Sequence, residues 1–272
     1  MKIAILANRD IAACSALNRL WPSLLVEHDV QLILSSSVGG SGDKRPEKLR
    51  ELKIVEQVYI NDFLFPLLRS LPSERRGAWL DFDLLALQSG RPLWIMNRIN
   101  EPEQRNQLAG FAPDLILSIR YGVILKKDVI AMPRLGVINL HSGVLPAYRG
   151  VMASFWALHN GESEIGTTLH TIDDASIDTG RVLARSSLSV QHGKSYLWHV
   201  LALYEAGCAN VLTTIESLTA GNELHGEAQG DGENYYSFPD QSAIDEFYRK
   251  GFQLYSSEDL LELGQQFTST DS

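Results

Sequence analysis

The opening of the chain constrains its fold more than any other feature. Residues 2–7 (KIAILA) form a short apolar run and residues 8–10 (NRD) a polar exit turn. Residues 11–25 carry helical spacing, and residues 30–35 form a second apolar run. Strand, helix and strand at this spacing predict a parallel, doubly wound sheet. The chain is therefore expected to be an α/β protein with a Rossmann-like, mostly parallel sheet flanked by helices. Its 272 residues suffice for one sizeable α/β domain with an appendage, or for two small domains.

The rest of the chain extends this pattern. Residues 93–96 read as a further strand and 101–109 as a helix. Residues 44–90 read as an irregular helical segment broken at Pro66 and Pro72, and 35–43 as a small, polar loop. Past Pro113, strands are predicted over 114–119, 136–140, 166–172 and 182–190, with helices over 127–131 and 151–159. Residues 141–150 form a loop punctuated by Gly143, Pro146 and Gly150. Leu197, Val200, Leu201, Tyr204, Cys208, Val211, Leu212 and Ile215 follow helical spacing to a stop near Gly221. Residues 222–234 are polar and Gly-rich, a linker. A division follows: 1–221 as the main domain and 222–272 as a short carboxy-terminal extension with a helix over 244–250. Ile244, Phe247, Tyr248, Phe252, Leu254 and Tyr255 are too apolar for a solvated tail, so the extension is expected to pack on the body.

Charge narrows the partners. The net charge is −9, and eleven of the 33 acidic residues but two of the 24 basic ones lie from Glu223 onward. The body is thus neutral and the extension acidic. Nucleic-acid binding draws on a basic surface that displaces counterions from phosphates, so no nucleic-acid partner is expected. No apolar run reaches the length of a membrane span, and the first ten residues turn polar at Asn8, unlike a signal peptide. The two cysteines, Cys14 and Cys208, have no metal-ligand spacing and read as small buried hydrophobes. These features predict a cytoplasmic protein with no membrane partner and no metal. The oligomeric state stays open, a homodimer included.

The densest cluster of chemistry-bearing residues is INLHSGVLPAYRG, residues 138–150. Asn139 and His141 lie two apart at a strand end, so their side chains share one face of the sheet. In a parallel sheet, ligands bind at the carboxyl ends of the strands. Downstream, TLHTIDDASIDTG (168–180) reads as a strand and a turn carrying Asp173, Asp174 and Asp178. Taken singly, these residues are unremarkable: a turn-forming Asn, a structural His and a turn Asp. An aspartic-protease reading of the Asp-Thr-Gly string fails, because that chemistry needs two such motifs in an all-β chain. His159, His170, His192 and His199 read as structural or exposed.

Taken together and in order, these motifs resemble the folate-dependent formyltransferase family. Asn139 and His141 match its Asn-x-His pair, GVLPAYRG its loop and Asp178 in IDTG its acid, while SIRYGVIL (118–125) is similar to its folate-pocket segment. The resemblance covers residues 110–190 and extends to the first strand. It implies the formyltransferase fold, with 10-formyltetrahydrofolate as formyl donor and a small-molecule amine as acceptor. It implies Asn139, His141 and Asp178 as catalytic residues. It places Tyr121, Gly122, Val123, Ile124, Leu125, Asp174, Ala175, Ser176 and Ile177 in the folate pocket. Asn139 and a protonated His141 would donate to a developing oxyanion, and a His–Asp pair with a water would shuttle a proton.

The departures from the family bear on the acceptor. Glycinamide ribonucleotide enzymes carry a Gly/Ser-rich phosphate loop after the first strand; here ANRDIAACS has no glycine. Methionyl-tRNA enzymes carry a basic carboxy-terminal barrel, and here an acidic segment follows. Folate deformylases carry an amino-terminal regulatory domain, for which a first strand at Lys2 leaves no room. An amino sugar nucleotide or an amino-acid-like amine is the expected acceptor. Asn8, Arg9, Asn97, Arg98 and Asn100, on predicted strand-exit loops, are candidates to bind it. Tyr235, Tyr236 and Phe238 are expected to anchor the extension rather than cover the cleft. A 10-formyltetrahydrofolate hydrolase and a non-catalytic folate-binding protein are the alternatives.

Overall fold

A computed structural model of the chain describes residues 1–36, 45–230 and 234–268. The loop expected over 35–43 lies mostly outside the described residues, as do positions 231–233 of the linker.

β1 (Lys2–Asn8), β2 (Asp29–Ser35), β3 (Trp94–Ile95), β4 (Leu115–Ile119) and β5 (Val137–His141) run parallel to their neighbours. A two-residue strand, β6 (Arg149–Gly150), precedes β7 (Glu164–Thr171) and β8 (Val182–Ser189), which pair antiparallel with β5 and with each other. The seven-stranded sheet has the order β3-β2-β1-β4-β5-β7-β8. The chain leaves β1 toward β2 and later returns to its other side as β4. The crevice at that switch point lies beyond the carboxyl ends of β1 and β4, where open α/β sheets bind ligands.

Strand alternation splits the core in two. Ile3, Ile5 and Ala7 of β1 face one apolar cluster; Ala4 and Leu6 face the other. The first face is covered by α1 (Ile11–Glu27), whose amino terminus is capped by Asp10 accepting from the Ala13 amide at 2.8 Å.

Residues 47–70 form a continuous helical rod rather than an irregular segment: α2 (Glu47–Lys53), a π-helical stretch Ile54–Leu64 and α3 (Phe65–Ser70). Pro66 sits where π winding returns to α winding, a place that tolerates its missing N–H. A three-residue turn, Ser73–Arg75, and α4 (Phe82–Gln88) follow. On the second face, α5 (Pro102–Phe111) buries Leu108 and Phe111, and the single turn α6 (Lys127–Ile130) buries Val129.

α7 (Ala153–His159) leads from the 141–150 loop, and α8 (Tyr196–Thr219) returns across the first face against β7 and α1. The extension packs on this body. It contributes β9 (Tyr235–Tyr236), paired with β6, then α9 (Gln241–Arg249) and α10 (Ser257–Phe267). Phe247 is fully buried against Phe155, ring centroids 4.5 Å apart, and Phe267 against Phe65 and Trp79, each at 5.6 Å. Tyr236 stacks on Tyr148 and Trp156. No helix among the described residues is long and apolar enough to cross a membrane.

Candidate active site

β5 ends in the Asn139 and His141 pair. The antiparallel register sets Asn139 directly opposite His170 of β7, and Asn139 Nδ2 lies 3.0 Å from His170 Nε2. Because His170 Nδ1 is 2.8 Å from the Thr171 carbonyl, which only accepts, Nδ1 carries the proton. Nε2 accepts from Asn139 in the neutral ring and, when protonated, faces the Asp178 carboxylate. His141 has the opposite arrangement. Its Nε2 donates to the Tyr148 carbonyl at 2.7 Å, so Nδ1 is the nitrogen turned toward Asp178, whose Oδ2 is 3.6 Å away.

Asp178 closes the cluster. It adopts a left-handed backbone with φ of 55°, which Asp tolerates better than most residues, and this turns its carboxylate back toward the strands. Oδ2 accepts from the Gly150 amide at 2.8 Å, and Oδ1 lies 3.5 Å from His170 Nε2. The glycine of IDTG is a packing requirement: a Cβ on Gly180 would stand 1.7 Å from the Thr171 carbonyl oxygen. Gly143 is similar, since a Cβ there would lie 2.7 Å from His141 Nε2. Burial pushes the Asp178 carboxyl upward, but the charge of His141 and the hydrogen bond and charge of His170, with the Gly150 amide, outweigh it. They hold Asp178 at about 2.

These residues share a cavity of about 410 Å³ with Tyr121, Gly122, Val123, Ile124 and Leu125 on one segment and Asp174, Ala175, Ser176 and Ile177 on another. Asn100 braces the first segment, donating to the Ile124 carbonyl at 2.9 Å and accepting from the Lys126 amide at 2.8 Å. Of the five residues singled out for the acceptor, Asn8 lines the cavity and the others do not. Arg9 donates to Asn61, Asn97 accepts from the Ser36 amide, and the Arg98 amide donates to Gln104. Tyr235 and Phe238 line the cavity, while Tyr236 anchors the extension.

Four residues of the site escaped sequence reasoning. His170, expected to be structural or exposed, is 1% exposed and lies between Asn139 and Asp178. Pairing the 136–140 and 166–172 strands would have set it opposite Asn139. The other three are Asp10, Glu56 and Arg120. Arg120, with φ of 57°, directs Nε to both Asp10 oxygens at 3.1 and 3.0 Å. Its Nη2 lies 3.7 Å from Glu56 Oε1. For Arg120, a charged side chain within the mostly apolar segment SIRYGVIL was the available signal.

A family model described as "Formyl transferase" matches residues 49–197, more than half of the chain. The methionyl-tRNA formyltransferase of Synechococcus sp. (strain JA-3-3Ab) is 35% identical over 155 residues, 57% of this chain and 48% of the relative. That of Thermosynechococcus vestitus (strain NIES-2133 / IAM M-273 / BP-1) is 33% identical over 172 residues, 61% of this chain and 51% of the relative. The chain thus spans about half the length of these relatives.

Among solved structures, the N-formyltransferase from Helicobacter canadensis, in complex with folinic acid and dTDP-3-aminofucose, superposes with a TM-score of 0.57 at 17% identity. The match covers 95% of this chain and 85% of that one. Glycinamide ribonucleotide transformylase 1 from Symbiobacterium toebii gives a TM-score of 0.57 at 14% identity, covering 85% and 94%. These two likenesses concern the fold. With the family model spanning the strand pair, the loop and the Asp178 turn, the chain belongs to the formyl transferase family.

Proposed function

We propose that this chain transfers the formyl group of 10-formyltetrahydrofolate to the primary amine of a small acceptor, an amino sugar nucleotide or an amino-acid-like amine. One observation carries the reading: Asn139, His141 and Asp178 converge on a cavity whose walls include both segments expected to hold a folate. Those walls fit the donor. Val123, Leu125 and Ile172 present apolar surface, and Ile124 and Ile177 are left 55% and 37% exposed, as walls awaiting a flat ring would be. The bound folate supplies the formyl group as an activated amide.

The chain's own residues divide the remaining work. Asn139 and, when protonated, His141 Nδ1–H are donors for the oxygen on which negative charge develops, each lowering the barrier by about 3 kcal/mol. Asp178, at about 2, stays ionised at neutral pH and is a weak base. Its part is to align the His141 ring rather than to take the acceptor's proton. His170 fixes the Asn139 amide.

The relatives named methionyl-tRNA formyltransferase make charged tRNA the competing acceptor. The acidic extension, with Tyr235 and Phe238 on the cavity wall, favours a small one. The test is a panel of amines, charged initiator tRNA included, incubated with 10-formyltetrahydrofolate and read by the mass gain of one formyl group. A small amine should be formylated and the tRNA not. His141→Ala should lower that turnover at least about a hundredfold with the fold intact. Near-normal turnover in the variant refutes the role of His141. Formate release with no amine present would favour the hydrolase instead.

A further inference from the structure

Besides the triad, the cavity is lined by Asp10, Arg120 and Glu56, which the transfer step above leaves unused. Asp10 is fully buried and satisfied. It accepts from Arg120 Nε, from Asn8 Nδ2 at 2.6 Å and from the Ala13 amide at 2.8 Å. Glu56 is not satisfied. It is 9% exposed, its Oε1 is buried without a hydrogen-bond partner, and Arg120 Nη2 stands off at 3.7 Å. A buried carboxylate oxygen without a donor is costly, and one on the wall of an open cavity is placed to receive a donor from a ligand. Asp10 and Glu56 both face the Arg120 guanidinium, and Asp10 takes up its Nε, so a cationic ligand suits the open Glu56 oxygen.

The acceptor amine is such a donor. An aliphatic primary amine has a pKa near that of lysine, about 10.4, so it arrives as ammonium and must shed a proton before it can attack. Building on the formyl-transfer reading, we propose that Glu56 binds the acceptor's primary ammonium and removes one of its protons, with Asp10 and Arg120 as positioning residues. The step balances. One ammonium proton passes to the Glu56 carboxylate, and the freed lone pair forms the new bond to the formyl carbon. As the bond from that carbon to N10 of the folate breaks, a second proton from the attacking nitrogen ends on N10. The Glu56 proton then leaves to solvent.

The surroundings suit the task. Burial pushes Glu56 up to about 7, with Arg120 pulling it back and Asp10 pushing it further, so it is a stronger base than an ordinary carboxylate yet is still ionised in part at neutral pH. Among the described residues, Tyr196 at the start of α8 also faces it, and Arg45 and Lys53 are further cations on the cavity wall. Glu56 itself lies in the π-helical stretch, a winding that recurs at functional sites.

The test needs no turnover. Ethylamine hydrochloride is the cationic probe, N-ethylformamide its neutral counterpart and folinic acid the donor-site control, each read by thermal stabilisation. One unit above pH 7, ethylammonium should stabilise the wild type and N-ethylformamide should not. One unit below, where Glu56 is protonated, the effect should fade. Glu56→Gln should lose the ethylammonium effect at both pH values and keep that of folinic acid, and its pH profile for formyl transfer should lose the acid limb near 7. A wild type indifferent to ethylammonium above pH 7, or an equal effect in Glu56→Gln, would overturn the assignment. Failure of folinic acid to stabilise the wild type would instead count against the formyl-transfer reading, so the two failures are told apart.

Discussion

Replacing Asp178 with Asn tests the electrostatics of the site through stability alone. Active-site carboxylates are commonly a burden on the fold, and their removal often stabilises a protein. Here the opposite sign is expected. Asp178 is held at about 2 against an ordinary 3.8, and its side chain is 9% exposed, so solvent screening takes little from the effect. A lowered carboxyl contributes stability that is present above 3.8 and is lost as pH falls through 2. The difference of nearly two units corresponds to about 2 kcal/mol. Asn keeps the side-chain shape and tolerates φ of 55°, so no backbone penalty confuses the comparison. At about pH 5, Asp178→Asn should therefore be less stable by about 2 kcal/mol, a urea midpoint lower by roughly 1 M. About half of that gap should remain near pH 3. A variant as stable as the wild type at pH 5, or a gap unchanged at pH 3, would refute the account.

Other outcomes follow from packing and from ligand linkage. Phe247→Ala should cost about 3–5 kcal/mol in urea unfolding, because its ring is fully buried against Phe155 and Phe252; a loss below about 1 kcal/mol would mean that the extension is not part of the core. Gly180→Ala should destabilise by about 1–3 kcal/mol and abolish transfer, since its Cβ meets the Thr171 carbonyl. Gly110→Ala, in a helix with open space around it, should be neutral or stabilising by the same measurement, and equal behaviour of the two variants would defeat the steric argument. Folinic acid at about a hundredfold its dissociation constant should raise stability by about 2.7 kcal/mol, and no shift in melting temperature would count against a folate site.

The parts of this molecule that were legible in its sequence are those written in local pattern. The first strand, helix and strand stand where their periodicity puts them, and Asn139 and His141 share a face because side chains alternate along β5. The rod over 47–70 was obscured, because Pro66 reads as a breaker and π winding smears the helical period. α10 went unread in a segment dominated by polar residues. The partners of the site were less visible still. Glu56, Asp10 and Arg120 come from the rod, the exit of β1 and the end of β4, and only the crossovers of the sheet bring them together. A residue on the paired strand, such as His170, is hidden until the register is known.

The pairing of β9 with β6 ties the extension to the candidate site. Tyr235 and Tyr236 lie against Arg149 and Gly150, and it is the Gly150 amide that holds Asp178 Oδ2. On the same side, Gln229 donates to the carbonyls of Asp178 and Gly180 at 2.9 and 2.7 Å. Docking of the extension and placement of the carboxylate therefore draw on one set of hydrogen bonds. Reciprocity then applies: a ligand that binds only the ordered cavity must tighten the extension onto the body by the same factor by which the docked extension tightens the ligand. Peeling away these two tyrosines would thus lower the affinity of such a ligand from outside the cavity, and the ligand in turn would clamp the extension in place.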